Sequence, residues 1–182
     1  RLDHKALSSS DSASYLFNTT VEKIQDSDCL LLVGTNPRKD SPVLNSRITQ
    51  KSFDKNYKIA AIGLECNITY KYEDLGSSVE SLQKLLDGKS DFAKTLKNSK
   101  NPLIIFGSDA IKGENSKATL DLLKKIAEKY KVVSEEWNGF NFLSKDTGII
   151  NGLELGFDAS NTQSILASVK EGKTKLLILM GS

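Results

Sequence analysis

The stretch Cys29-Leu-Leu-Leu-Val-Gly-Thr-Asn-Pro-Arg38 decides the fold of this chain. Half-exposed strands alternate apolar and polar residues, whereas this one begins with five apolar residues, which predicts a strand buried on both faces near the centre of a parallel sheet. Gly34 to Pro37 then form a turn. Ser41 and Pro42 predict a helix with a side-chain cap at Ser41 and proline in its first turn. The loop of this strand–helix unit therefore lies on the side where open α/β sheets bind ligands.

The loop Gly34, Thr35, Asn36, Pro37 has two interpretations. Helix N–H groups that follow a strand attract anions such as phosphate, which makes this loop the candidate cofactor site. However, it contains one glycine and lacks both the G-x-G-x-x-G spacing of dinucleotide sites and the G-x-x-x-x-G-K-[ST] continuation of a P-loop. Residues of these types also make ordinary tight turns, and the plain turn is the favoured interpretation.

Length and composition indicate a soluble globular domain. The 182 residues are 38% hydrophobic and 26% charged, which is sufficient for a core of their own. The net charge is +2 and the lysines are spread among acidic residues rather than collected into a stripe, so we expect no nucleic-acid partner. We also expect no direct membrane insertion and no export signal, because the sequence has neither an apolar run of membrane-spanning length nor a basic-then-apolar leader.

The residues that carry most catalytic and metal chemistry are scarce. The chain has two cysteines, Cys29 and Cys66, and one histidine, His4, which predicts no metal site, no disulfide framework and no nucleophile–histidine pair. Cys29 is interpreted as a core residue. Asp40 and Asp109 follow strand ends, where a carboxylate could act as an acid, a base or a cation ligand, but solvated loop aspartates are the favoured interpretation. We therefore predict no catalytic residues.

Apolar periodicity places the remaining elements. Further strands are predicted at Lys58 to Ile62, Leu103 to Phe106, Val132-Val133 and Leu176 to Met180, and irregular segments at 67–76 and 135–157. Helices are predicted after capping boxes at Thr19/Glu22 and Ser77/Glu80, at Asp91 to Leu96, after Asn115 or Ser116, and after Ser160 or Asn161 with Ile165, Leu166 and Val169 inward. This alternation predicts a doubly wound α/β fold, a mainly parallel sheet with helices on both faces.

The domain organisation is expected to be simple. Residues 1–14 are Ser-rich and aperiodic, which predicts a flexible arm or the end of a preceding segment, and residues 15–182 form the α/β domain. The chain begins with arginine and stops just after an apolar run. We therefore expect a piece of a longer polypeptide, truncated at its C-terminus.

Seven motifs resemble one known family. They are Tyr15-Leu-Phe-Asn-Thr-Thr20, Leu30-Leu-Leu-Val-Gly-Thr-Asn-Pro-Arg38 with Asn45-Ser-Arg-Ile48, Tyr70-Lys-Tyr-Glu-Asp-Leu-Gly76, Pro102-Leu-Ile-Ile-Phe-Gly-Ser108, Trp137-Asn-Gly-Phe-Asn141, Leu153-Glu-Leu-Gly-Phe157 and Lys175-Leu-Leu-Ile-Leu-Met-Gly181. In order and spacing these resemble the large iron–sulfur subunit of respiratory complex I, the NADH-quinone oxidoreductase also called NADH dehydrogenase I. The resemblance covers almost the whole chain.

The resemblance implies a position within that large subunit. The family holds its iron–sulfur clusters with cysteines and a histidine in an N-terminal region, so this chain resembles the later, cluster-free part. That part is similar in fold to molybdopterin-dependent oxidoreductases such as formate dehydrogenase, in which the loop corresponding to Gly34–Pro37 approaches the pterin dinucleotide. In complex I this site is understood to be vestigial, which implies no cofactor in this chain.

Two hypotheses follow from the resemblance. The first is a scaffold domain in the peripheral arm of complex I, on the bacterial cytoplasmic or mitochondrial matrix side, that contacts other subunits while the holoenzyme passes electrons from NADH through iron–sulfur clusters to quinone. The alternative is a fragment of a molybdopterin enzyme that still binds its pterin dinucleotide at Gly34–Pro37.

Overall fold

Five parallel strands form the central sheet. In a computed structural model, which describes residues 6–63, 68–157 and 159–178, the strands occur in the order β3-β2-β1-β4-β5. Every pairing between neighbouring strands is parallel, and β1 pairs with both β2 and β4. The doubly wound α/β prediction is thereby confirmed. The bounds are β1 Cys29–Val33, β2 Lys58–Ile62, β3 Glu73–Asp74, β4 Pro102–Gly107 and β5 Phe140–Leu143.

Seven α-helices accompany the sheet in the described residues. Their bounds are α1 Pro37–Asp40, α2 Pro42–Lys51, α3 Val79–Asp87, α4 Asp91–Asn98, α5 Ser116–Lys129, α6 Thr147–Glu154 and α7 Ala159–Lys170. Three short 3-10 helices lie at Ser12–Ser14, Glu22–Asp26 and Ser108–Ile111. Within the described ranges, none of the helices combines the length and the apolar character that crossing a bilayer requires.

Helices cover both faces of the sheet. Because side chains alternate along a strand, Leu31 of β1 packs in one core with Leu82 of α3, whereas Leu32 packs in a second core with Leu44 of α2. The first core also takes side chains from α4, α5 and α6. All five residues of β1 are buried, as expected for a central strand covered on both faces.

The N-terminal segment is tied to β5 at the edge of the sheet. Within the predicted arm, Leu7 and Ser14 are buried, and residues 1–5 lie outside the described ranges. Thr19 was predicted to cap a helix, and that prediction is wrong. Its N–H donates to Asn141 Oδ1 at 2.7 Å and its hydroxyl donates to the Asn138 carbonyl, so Thr19 joins the segment to the β5 region instead.

Other local predictions need correction at helix starts. Asn36, not Ser41, supplies a side-chain cap, because its Oδ1 accepts from the Arg38 N–H at 3.2 Å and so begins a short helix that the sequence did not predict. Ser78 rather than Ser77 precedes α3. The predicted strand at Val132-Val133 is a single bridge from Val133 to Asn138.

The last third of the chain differs most from the sequence prediction. The segment 135–157, predicted as loop, contains β5 and α6. Helix α7 exists, but Ile165, Leu166 and Val169 are 45%, 53% and 38% exposed rather than inward. Leu176 to Ile178 are neither in a strand nor buried, which corrects the predicted final strand over its described part, and residues 179–182 lie outside the described ranges.

Candidate functional site

A crevice of about 740 Å³ opens at the carboxyl ends of the strands. Its walls come from the loops after β1, β2 and β4 and from the first turns of α3 and α5. From β1 the chain proceeds outward to β2 and β3, then crosses back to β4 on the other side of β1. The crevice therefore lies at the point where the strand order reverses, which is the general ligand position in open α/β sheets.

The predicted loop lies at this crevice. Gly34, Thr35 and Asn36 line it, and Pro37 is buried at the first position of α1. Gly34 adopts a φ of 54°, and its N–H donates to the Ile62 carbonyl at 2.9 Å. The turn therefore lies where the sequence predicted it, but it leads directly into α1 at Pro37 rather than into a helix that begins at Ser41.

The carboxylate of Asp40 accepts hydrogen bonds from residues of the loop. Its Oδ2 accepts from the Thr35 hydroxyl at 3.0 Å and from the Asn36 N–H at 2.9 Å. Only 7% of the Asp40 side chain is exposed, so its interpretation as a solvated loop residue is wrong. Hydrogen bonds to a carboxylate are stronger than those between neutral groups, and these two fix the turn.

Asp109, the second predicted loop carboxylate, is held by two lysines. Lys112 Nζ lies 2.7 Å from Asp109 Oδ1, and Lys145 Nζ pairs with Oδ2. Partial burial favours a higher pKa for Asp109, but the hydrogen bonds from Lys112 and Lys145 outweigh it and lower the pKa. The hydrogen bond to Asp109 in turn raises the pKa of Lys145. Asp109 is therefore ionised and paired.

Lys145 connects three loops. It follows β5, pairs with Asp109 after β4, and its Nζ lies 3.8 Å from Asp40 Oδ1 after β1. The sequence alone does not point to Lys145, because β5, the strand that carries it to the crevice, was predicted as loop. Its side chain is 38% exposed, so each ion pair contributes about 1 kcal/mol at most.

The loops after β1 and β4 also touch through their backbones. A Cβ added to Gly34 would lie 2.4 Å from the Ala110 nitrogen, and one added to Gly107 would lie 2.6 Å from the Gly34 carbonyl oxygen. These glycines therefore let the chain approach itself. The backbone after β4 therefore lies directly beside Gly34.

These residues do not fit the pyrophosphate of a dinucleotide at Gly34–Pro37. Two donors of the loop, the Thr35 hydroxyl and the Asn36 N–H, are already bonded to Asp40. Among the described residues that line the crevice, Lys39, Lys112 and Lys145 are balanced by Asp40, Asp74 and Asp109. Such a lining has no net charge to attract a polyanion.

Cysteine and carboxylate placement bears on the metal prediction. Cys29 is fully buried in the first core, its Sγ lies 3.2 Å from Ser99 Oγ, and burial raises the pKa of the thiol to about 11. Its interpretation as a core residue is confirmed. Cys66 and His4 lie outside the described ranges. Among the side chains that the structure describes, no group of three His, Cys, Asp or Glu is close enough to hold a metal ion.

Comparison with known proteins places the chain in a family. The family model for molybdopterin oxidoreductase matches residues 1–182, the whole chain. The chain belongs to the molybdopterin oxidoreductase family. This membership agrees with the parallel sheet and its surrounding helices.

Within the molybdopterin oxidoreductase family, the chain resembles complex I subunits. It is 41% identical to an NADH-quinone oxidoreductase subunit of Rickettsia bellii over 88% of its length, and 32% identical to the NADH-ubiquinone oxidoreductase 75 kDa subunit of Reclinomonas americana over 93%. The resemblance to complex I stated from the motifs is thereby confirmed. The chain spans about a quarter of these relatives, 23% and 24% of their length.

One solved structure gives a weaker comparison. A protein of the formyltransferase/hydrolase complex from Methylorubrum extorquens, in complex with methylofuran, aligns with a TM-score of 0.46 at 14% identity, covering 74% of this chain and 40% of that one. A likeness at this level carries no argument about function.

Proposed function

We propose that this chain is a cluster-free scaffold domain within the large iron–sulfur subunit of NADH-quinone oxidoreductase. The observation that carries the proposal is the 41% identity to an NADH-quinone oxidoreductase subunit over 88% of the chain. In this proposal the holoenzyme passes electrons from NADH through iron–sulfur clusters to quinone, with the clusters held outside these residues. The chain itself contributes packing rather than chemistry.

The arrangement of the crevice supports a structural role. Lys145 forms ion pairs with Asp40 and with Asp109. These pairs join the loops after β1, β4 and β5. Cys29 is buried in the core, where its thiol contacts the Ser99 hydroxyl. Side chains that would otherwise hold or activate a ligand are thus engaged in holding the fold together.

The proposed partners are other subunits of the complex I peripheral arm, on the bacterial cytoplasmic or mitochondrial matrix side. Several large apolar side chains near the end of the chain are exposed, which supports contacts within a larger assembly. They are Leu155, Phe157, Ile165, Leu166, Leu176 and Ile178.

The alternative function is binding of a pterin dinucleotide at Gly34–Pro37. Family membership and the crevice of about 740 Å³ favour it. The hydrogen bonds from Thr35 and Asn36 to Asp40 disfavour it, because they occupy the loop. No step of an electron-transfer or oxotransfer reaction is assigned to these residues.

Metal analysis separates the two functions. In the full-length protein that contains this chain, we expect iron but neither molybdenum nor tungsten. The 182-residue chain alone is expected to be colourless and free of stoichiometric iron. Stoichiometric molybdenum or tungsten in the parent would favour the pterin alternative. Iron with visible charge-transfer absorption in the short chain would refute the cluster-free assignment.

A further inference from the structure

Asp40 occupies a position that an external anion would need. We propose that Asp40 is an internal anion, whose carboxylate takes the donors of the loop after β1 and so keeps the crevice closed to phosphate-bearing ligands. In this proposal one side chain, Asp40, excludes phosphate-bearing ligands, and the cavity that could hold them is still present.

The contacts of Asp40 resemble those of a bound oxyanion. Its Oδ2 accepts from the Thr35 hydroxyl and from the Asn36 N–H, and its Oδ1 lies 3.8 Å from Lys145 Nζ. The loops after β1 and β5 therefore contribute a side-chain hydroxyl, a backbone amide and an ammonium group to one carboxylate. These are the donor types that bind phosphate oxygens in proteins.

The neighbouring N–H groups are already bonded within the protein. The Gly34 N–H donates to the Ile62 carbonyl, and the Arg38 N–H donates to Asn36 Oδ1. The Lys39 and Asp40 N–H groups donate to the Asn36 carbonyl at 2.9 and 2.8 Å. A phosphate that bonds to the Thr35 hydroxyl and the Asn36 N–H would therefore have to displace Asp40.

Space alone does not exclude such a ligand. The crevice measures about 740 Å³, within the range of cavities that hold small ligands. A phosphate beside Asp40 would meet a like charge with 7% exposure, where solvent screens repulsion poorly. Removing the carboxylate should thus expose the donors without rebuilding the fold.

This inference does not depend on the proposed function. It concerns residues of the chain itself, and it holds whether the parent protein is a complex I subunit or another member of the family. The experiment that tests it monitors residues of the loop itself. Its outcome is therefore independent of the metal analysis that tests the proposed function.

The test is a titration of the full chain with inorganic pyrophosphate, followed by the backbone amide resonances of Thr35 and Asn36. In the wild-type chain we expect no saturable shift of these resonances. In Asp40→Ala we expect a saturable shift with a roughly millimolar dissociation constant, at least about tenfold tighter than any binding by the wild type.

The matched control is Asp121→Asn, which changes the net charge by the same amount at an exposed position of α5 that does not line the crevice, and leaves Asp40 in place. We expect it to behave as the wild type. If Asp40→Ala does not fold, Asp40→Asn decides, because it removes the charge and keeps the shape, and we expect a smaller gain of the same direction. Saturable shifts in the wild type, no gain in the folded variant, or an equal gain in Asp121→Asn would each overturn the proposal.

Discussion

Replacement of Gly34 by alanine is expected to lower the free energy of unfolding by about 2–5 kcal/mol. Two costs combine at this position. A φ of 54° disfavours any L-residue by roughly 1–2 kcal/mol, and the new Cβ would lie 2.4 Å from the Ala110 nitrogen, so that backbone must move at a further cost of about 1–3 kcal/mol. The loss should appear as a lower midpoint of urea unfolding with an unchanged slope.

Gly113 provides the matched control for this change. It has a φ of 81°, and a Cβ built on it meets nothing within 4 Å. Gly113→Ala should therefore cost only the conformational part, about 1–2 kcal/mol. Equal losses for the two variants would mean that the contact between the loops after β1 and β4 adds nothing to stability.

The second large effect is expected at Asn141. Its side chain is fully buried, Oδ1 accepts from the Thr19 N–H at 2.7 Å, and Nδ2 donates to Thr19 Oγ1 at 3.0 Å. Asn141→Ala leaves the Thr19 N–H without this partner in the interior, and buried orphaned polar groups cost about 1–3 kcal/mol each. With the lost packing, we expect a decrease of about 2–4 kcal/mol in the free energy of unfolding.

The control for Asn141 is an asparagine on the surface. Asn151 is exposed on α6, and its replacement by alanine should change the free energy of unfolding by less than about 0.5 kcal/mol. A decrease at Asn141 no larger than at Asn151 would show that the N-terminal segment is not held to β5 through this side chain. Hydrogen exchange of the Thr19 amide measures the same link locally.

Strands with continuous apolar sequence were predictable, whereas β5 was not. In β1, β2 and β4 nearly every residue is buried, and the continuous apolar sequence of each strand predicts this burial. The middle of β5 carries Asn141, which is typical of a loop when seen in sequence, because its partner Thr19 lies more than a hundred positions earlier in the chain. Helix α6 was missed because Gly148 and Gly152 lower its helix propensity.

At the crevice the position of the loop was predictable, but the contacts that Asp40 and Lys145 make there were not. A strand followed by glycine and proline placed Gly34–Pro37 at the carboxyl edge of the sheet. Asp40 gave no sign of its burial, since the turn that bends its carboxylate toward Thr35 and Asn36 exists only in the folded loop. Lys145 approaches Asp40 only because β5 pairs with β4.

An apolar segment does not always pair as a strand of the sheet. Leu176 to Ile178 are as apolar as β1, yet they lie outside the sheet and are 77%, 47% and 70% exposed. A hydrophobic run predicts that a segment favours burial, but not which neighbour buries it. The same reasoning applies to α7, whose apolar residues were predicted to face inward.

Calorimetric titration of the full chain with dinucleotides tests most directly whether the chain's own residues close the crevice to such ligands. For nicotinamide, flavin and pterin dinucleotides we predict dissociation constants of millimolar or weaker, which is about 4 kcal/mol or less of standard free energy. A micromolar constant for the pterin dinucleotide would contradict the account.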